Sequence, residues 1–267
     1  MTAFFIRNSD PSTRRTSRGK CIYCASPRYR EKDERKLGDE HVVAESLGGT
    51  LVLEQAACEA CERIINEFEQ PILKTVLYAP RVHLGVRRKK RKRSEETIKL
   101  QGNVNGKDID VFLPLKRAPV LLFFVKLGPP GILVGRPAHI SDVAGAWAKH
   151  LAGPLVPPGF KSLASPVLDT FKFSRFLAKI AHCFAVEQLG ENFAPLLLDV
   201  IRQPVADQRY DLVGGEREDS PATDNLHELR LEWHRYGSAV YATVRIRLFA
   251  NLGAPTYWVV VGTPKAS

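Results

Sequence analysis

The chain has 267 residues, 44% of them hydrophobic and 25% charged, the balance of an ordinary globular protein with a real core. No stretch approaches the roughly 18 apolar residues needed to span a bilayer, and no charged segment leads into a long apolar run at the N-terminus, so a soluble cytoplasmic protein is expected. The formal net charge is +10. Residues 1–100 hold 21 Lys+Arg against 14 Asp+Glu (+7), whereas the other 167 hold 18 against 15 (+3). That asymmetry suggests a polyanion bound by the N-terminal part.

In chain order, residues 1–20 are polar, without periodicity, and read as a flexible basic arm carrying Arg14, Arg15, Arg18 and Lys20. Residues 21–86 form the next unit. Here Glu40 to Ala44 is a short extended segment, Leu47-Gly48-Gly49 a turn, and Leu51-Val52-Leu53 a second strand. From about Ala57 the pattern becomes helical, with Ile64, Ile65 and Phe68 on one face. Pro71 ends that helix or opens another at its first turn. Residues 87–93 (Arg87, Arg88, Lys89, Lys90, Arg91, Lys92, Arg93) are seven consecutive cations, too self-repelling for one helix or strand face. They read as part of a basic linker, 87–107, with phosphate contact, nuclear localisation and simple solvation as the competing readings.

Residues 108–267 read as a mixed α+β domain whose sequence names no chemistry. Strands are expected at Ile109–Leu113, Val120–Lys126 and Ile132–Val134, then a short helix at Ile140–Leu151. A stronger helix runs from Phe173 to Leu189, closed by Gly190. Strands follow at Leu226–Trp233, Val240–Phe249 and Tyr257–Val261. Through this domain the chain could dimerise or meet a protein partner.

Four of the five cysteines fall in two C-x-x-C pairs, Cys21/Cys24 and Cys58/Cys61. A tight turn aims both thiolates of such a pair at one metal, and two pairs complete a closed tetrahedral zinc site that serves folding. The 33 residues between Cys24 and Cys58 exceed the roughly 15–20 of common zinc ribbons, so the metal would enclose a substructure. Cys183, inside an apolar helical pattern, reads as a buried thiol, and His83, His139, His150, His182, His227 and His234 show no ligand spacing.

Between the knuckles lies Asp39-Glu40-His41-Val42-Val43, then Gly48-Gly49, a strand, and the second knuckle opening a helix. Over residues 21 to about 70 this order resembles the HNH endonuclease family, in particular its four-cysteine zinc-containing members. The resemblance implies a ββα-metal (HNH) domain ahead of the α+β domain, and a nuclease acting on nucleic acid, with double-stranded DNA as the expected substrate. It also implies His41 as general base, Glu40 as ligand of a catalytic Mg or Mn ion, and a bacterial defence or mobile-element setting. An imidazole of ordinary pKa about 6.5 is a usable base near neutrality, and carboxylates suit hard divalent ions. Because successive strand residues point to opposite faces, Glu40 and His41 must sit at a strand end or bulge to converge.

The chain departs from the family in the helix, where Glu62 stands in place of the usual Asn or His, with Asn66 one turn on. Glu62 is the preferred second ligand and Asn66 the alternative. Residues 42–57 contain no Asn or His to brace the loop. A zinc-stapled nucleic-acid-binding module with a decayed site, and an RNA-directed nuclease, are the alternatives.

Overall fold

A computed structural model describes the chain except for residues 1, 8–9, 16–18, 31–34, 87–96, 115–116, 139–141, 156–161, 165–167, 204–208 and 266–267. The basic run 87–93 and Arg18 therefore lie outside the described residues. The architecture is mixed α+β.

The centre of the fold is a helix, α3 (Thr170–Leu189), capped by Asp169, whose carboxylate accepts the amides of Phe171 and Lys172. Every residue from Phe173 to Ala185 is buried, because α3 packs between two layers. On one side lies α1 (Glu59–Lys74). On the other lies an antiparallel sheet of β12 (His227–Tyr236), β13 (Ala239–Leu248) and β14 (Thr256–Pro264). A helix covered on both sides must be apolar nearly all round, and the sequence from Phe173 to Phe184 is. Three polar residues of α3, Arg175, Lys179 and His182, are spaced by four and three and so share one stripe. All three are buried, and each bonds a neighbouring segment.

That sheet continues outward on one side to β1 (Thr2–Ile6), which pairs with β12. On the other, β14 takes β10 (Phe193–Pro195) and β11 (Val213–Gly215). The expected flexible arm is thus partly ordered. Residues 2–6 alternate well enough to add an edge strand, with Ile6 fully buried, and β2 (Thr13–Arg15) runs parallel to β4 (Leu51–Ala57). The knuckle region is β3 (Gly38–His41), antiparallel to β4, followed directly by α1: a ββα unit.

Beyond α2 (Tyr78–His83), β5 (Thr97–Val104) and β6 (Lys107–Pro114) form a hairpin joined by β9 (Ser162–Ala164). This hairpin straddles the expected linker end at residue 107. A second pair is β7 (Val120–Leu127) with β8 (Val143–Ala152), and a short α4 (Leu198–Arg202) packs on α3. One hydrophobic core draws residues from both sides of the basic run, including Val42, Leu47 and Phe68 with Phe176, Leu229 and Val259.

Three local expectations are corrected. Ile132–Val134 is not a strand: Gly131–Leu133 is a single 3-10 turn, since Pro129 and Pro130 offer no backbone donors to a ladder. Ile140–Leu151 is not a helix; from Val143 it is β8, because pairing with the apolar β7 outweighs the helical preference of its alanines. Pro71 neither ends nor opens a helix. Helix α1 runs through it to Lys74, held by the burial of Phe68, Ile72 and Leu73.

Candidate functional site

Two turns bring the cysteines together. In the first knuckle the amide of Cys21 donates to Ser26 O and that of Ala25 to Cys21 O, while Ile22 N donates 2.8 Å to Ala56 O, docking the turn on β4. In the second, Cys58 is the N-cap residue of α1 and Cys61 lies in its first turn. All four sulfurs lie within 4.8 Å of one another, and Cys24 Sγ is 3.5 Å from Cys58 Sγ. A tetrahedral ion at about 2.3 Å from each sulfur needs sulfurs about 3.8 Å apart, so the group fits one. The hydrogen bond between Cys21 and Cys61 lowers the pKa of the first and raises that of the second, so the two sulfurs share a proton that a bound cation would displace. The cluster can hold a metal ion and leaves no protein position open for substrate.

A cleft of about 320 Å³ opens on the far side of the ββα unit, between the end of β3 and the exposed face of α1. His41 is the last residue of β3, opposite Val52, and the β3–β4 register slips between Gly38 and Glu40. The slip precedes the pair, which stays in regular register against Leu53 and Val52; it is the end of the strand at His41 that meets the expectation, and both residues line the cleft. From α1 come Glu62, Asn66 and Glu69, spaced by four and three and therefore on one face. Glu45 closes the cleft from the 3-10 turn Glu45–Leu47.

Each acid has its own arrangement. Glu40 is buried, and its Oε1 lies 2.7 Å from Lys179 Nζ; the same ammonium reaches His41 O at 2.5 Å and Glu69 Oε1 at 3.3 Å. Burial alone would push Lys179 down, but the charges of Glu40 and Glu69 outweigh it and leave its pKa above the ordinary value. Burial pushes the Glu40 carboxyl up, against the pull of Lys179. Glu62 accepts a 2.8 Å bond from Tyr29 Oη, which raises the tyrosine's pKa. Asn66 Oδ1 accepts from Gln70 Nε2 at 3.3 Å. Among the described residues, the four cysteines are the one group of three or more Cys, His, Asp or Glu side chains gathered tightly enough to hold an ion. Glu40 and Glu62 share the cleft but belong to separate networks.

Three cations of the arm, Arg14, Arg15 and Lys20, are engaged with the protein itself. Arg14 bonds Asp39 at 2.7 Å and Glu54 at 3.1 Å, Arg15 bonds Glu187, and Lys20 bonds Glu191. Sequence reasoning passed over Glu69 and Lys179. The helical spacing from Glu62 and Asn66 could have found Glu69. A lone lysine in the middle of an apolar helix was the signal for Lys179, since lysines are almost never fully buried without a partner.

No protein-family model, no curated protein and no solved structure matches the chain.

Proposed function

We propose that the chain is a metal-dependent endonuclease of the HNH type, hydrolysing phosphodiester bonds in DNA with His41 as general base. The observation that carries this reading is the shared cleft: His41 at the end of β3 faces Glu62, Asn66 and Glu69 of α1 in a ββα unit bracketed by four clustered cysteines. His41 takes the proton of an attacking water, and the backbone around it is fixed by Lys179 on its carbonyl. The carboxylates lining the cleft are Asp39, Glu40, Glu45, Glu62 and Glu69, five acids against the one ammonium of Lys179. A phosphodiester would be repelled from such a cleft without added positive charge. A Mg or Mn ion, when bound, supplies that charge at the scissile phosphate and leaving oxygen. Glu62 is the first residue to hold it and Asn66 the second, because Glu40 and Glu69 both already face Lys179. Residues 87–93 supply sequence-independent phosphate contacts.

A second reading is a zinc-stapled nucleic-acid-binding module whose catalytic site has decayed. The observation in its favour is Lys179, whose ammonium takes the Glu40 carboxylate that the family uses for metal. Divalent-dependent cleavage of plasmid DNA separates the two: the nuclease cuts and loses cutting in His41→Ala, whereas the binding module retards DNA in a salt-dependent manner and cuts under no metal.

A further inference from the structure

The outer face of the long sheet, turned away from α3, carries a cluster of charge that the cleft does not use. Leu229, Leu231, Val244 and Ile246 point into the core, so the alternate residues of β12 and β13 point outward. In that register Arg230 stands directly opposite Arg245, and Arg247 opposite Glu228. Like charges facing each other across an antiparallel pair cost stability. The three arginines line one cavity of about 180 Å³.

Accounting for the polar groups around it leaves a surplus of donors. Glu216 is taken by Arg245 Nη2 and by Trp258 Nε1. Glu228 accepts from Thr223 Oγ1 at 2.7 Å and Asn225 Nδ2 at 2.9 Å, with Arg247 Nη1 at 3.5 Å. Arg247 Nη2 donates to Pro221 O at 2.6 Å. What remains is the Nε–H of Arg245 and the Nε–H of Arg247, both buried and without an acceptor. Arg230 lies over the Phe5 ring at 5.5 Å and acts on Glu228 only at longer range, with no carboxylate oxygen within 4.0 Å among the described residues. Ser220 and Thr256, 2.7 Å apart, share one hydroxyl proton between them and have a second to give. Three arginines against two glutamates leave one positive charge uncompensated.

We infer that this cavity is a phosphate-binding site, in which Arg230, Arg245 and Arg247 meet the oxygens of a phosphate group. A tetrahedral oxyanion accepts from several directions at once, which suits guanidinium donors converging from two strands. It offers acceptors to the guanidinium donors that Glu216, Glu228 and Pro221 O do not take up. It also screens the Arg230–Arg245 repulsion. The phosphate belongs either to a free phosphate ester or to a polynucleotide backbone. The site is independent of the reading of the His41 cleft and stands or falls separately.

The test is NMR of the arginine Nε–Hε groups of the zinc-loaded full chain, titrated with inorganic phosphate at constant ionic strength. Saturable shifts of the Arg245 and Arg247 signals are expected. Arg230→Gln should weaken phosphate binding about tenfold, the worth of one charged hydrogen bond, without lowering the unfolding midpoint. Signals that follow ionic strength alone, or unchanged affinity in Arg230→Gln, overturn the assignment. Repeating the titration with adenosine 5′-monophosphate and a single-stranded oligothymidylate names the source. Tighter binding of the oligonucleotide assigns the site to a polynucleotide backbone, and equal binding of phosphate and mononucleotide with no gain for the strand assigns it to a free phosphate ester.

Discussion

The ammonium of Lys179 lies 2.7 Å from the carboxylate of Glu40, and the two side chains are only 1% and 10% exposed. Lys179 belongs to α3 and Glu40 to β3, so the strand that ends in His41 is fixed from the C-terminal half of the chain. The same Nζ also holds His41 O. Helix α3 is therefore part of the candidate site's framework.

Removing Lys179 leaves Glu40 buried, and Glu69 partly buried, without their cation. Lys179→Met should cost about 3–5 kcal/mol of stability, as breaking a buried ion pair does. Adding Glu40→Gln and Glu69→Gln should recover a substantial part of the loss, because neutral amides carry no buried charge. Urea unfolding of wild type, the single variant and the triple variant checks this, and a single-variant cost below about 1 kcal/mol, typical of exposed pairs, would contradict the buried network.

The cysteine cluster predicts about one zinc ion per chain by elemental analysis, with folding energy supplied by the ion. Cys61→Ser should abolish stoichiometric zinc and loosen the start of α1, read as lost amide protection over residues 58–66. Zinc retained at full stoichiometry in that variant would remove Cys61 from the ligand set.

His227 gives a pH signature. Its Nδ1 accepts from Phe249 N at 3.1 Å and its Nε2 is 2.7 Å from Leu47 O, a pattern only the neutral Nε2–H tautomer satisfies. Burial pushes its pKa down to about 4. The unfolded chain binds that proton near the ordinary value, so the stability it contributes is complete above about pH 6.5 and lost as pH falls toward 4. The slope should approach about 1.4 kcal/mol per pH unit from this one group. NMR titration should find the His227 ring neutral at pH 5; protonation near 6.5 would contradict its burial.

Gly49 follows the turn after His41, and a Cβ built there would lie 1.7 Å from Val43 O. Because the obstacle is backbone, Gly49→Ala should destabilise by about 1–3 kcal/mol and disturb the His41 loop. Thermal unfolding measures the first effect and chemical shifts of residues 41–49 the second.

Much of the knuckle region was legible because its signals are local. The two C-x-x-C pairs foretold the four-sulfur cluster, and strand, turn, strand and helix appeared in the expected order, although the first strand is Gly38–His41 rather than Glu40–Ala44. The alternation of β12, β13 and β14 and the apolar pattern of α3 were equally readable. What could not be read depends on contacts between distant segments. Alanine-rich β8 becomes a strand only through β7, and Thr2–Ile6 finds its partner more than two hundred residues away in β12. Lys179 meets Glu40 only once α3 is buried between α1 and the long sheet, a meeting with no trace in spacing.

The central claim is that His41 activates water for phosphodiester cleavage, and one assay addresses it directly. Supercoiled plasmid is incubated with the zinc-loaded wild type and with His41→Ala, in Mg²⁺, Mn²⁺ or EDTA, with zinc content and circular dichroism measured on both. Nicked or linear product is expected from wild type only with a divalent ion, and a loss of at least about a hundredfold in His41→Ala, the lower bound for removing a general base, with zinc and fold retained. Equal cleavage by both proteins, or none by the wild type under either metal, would contradict a general-base role for His41.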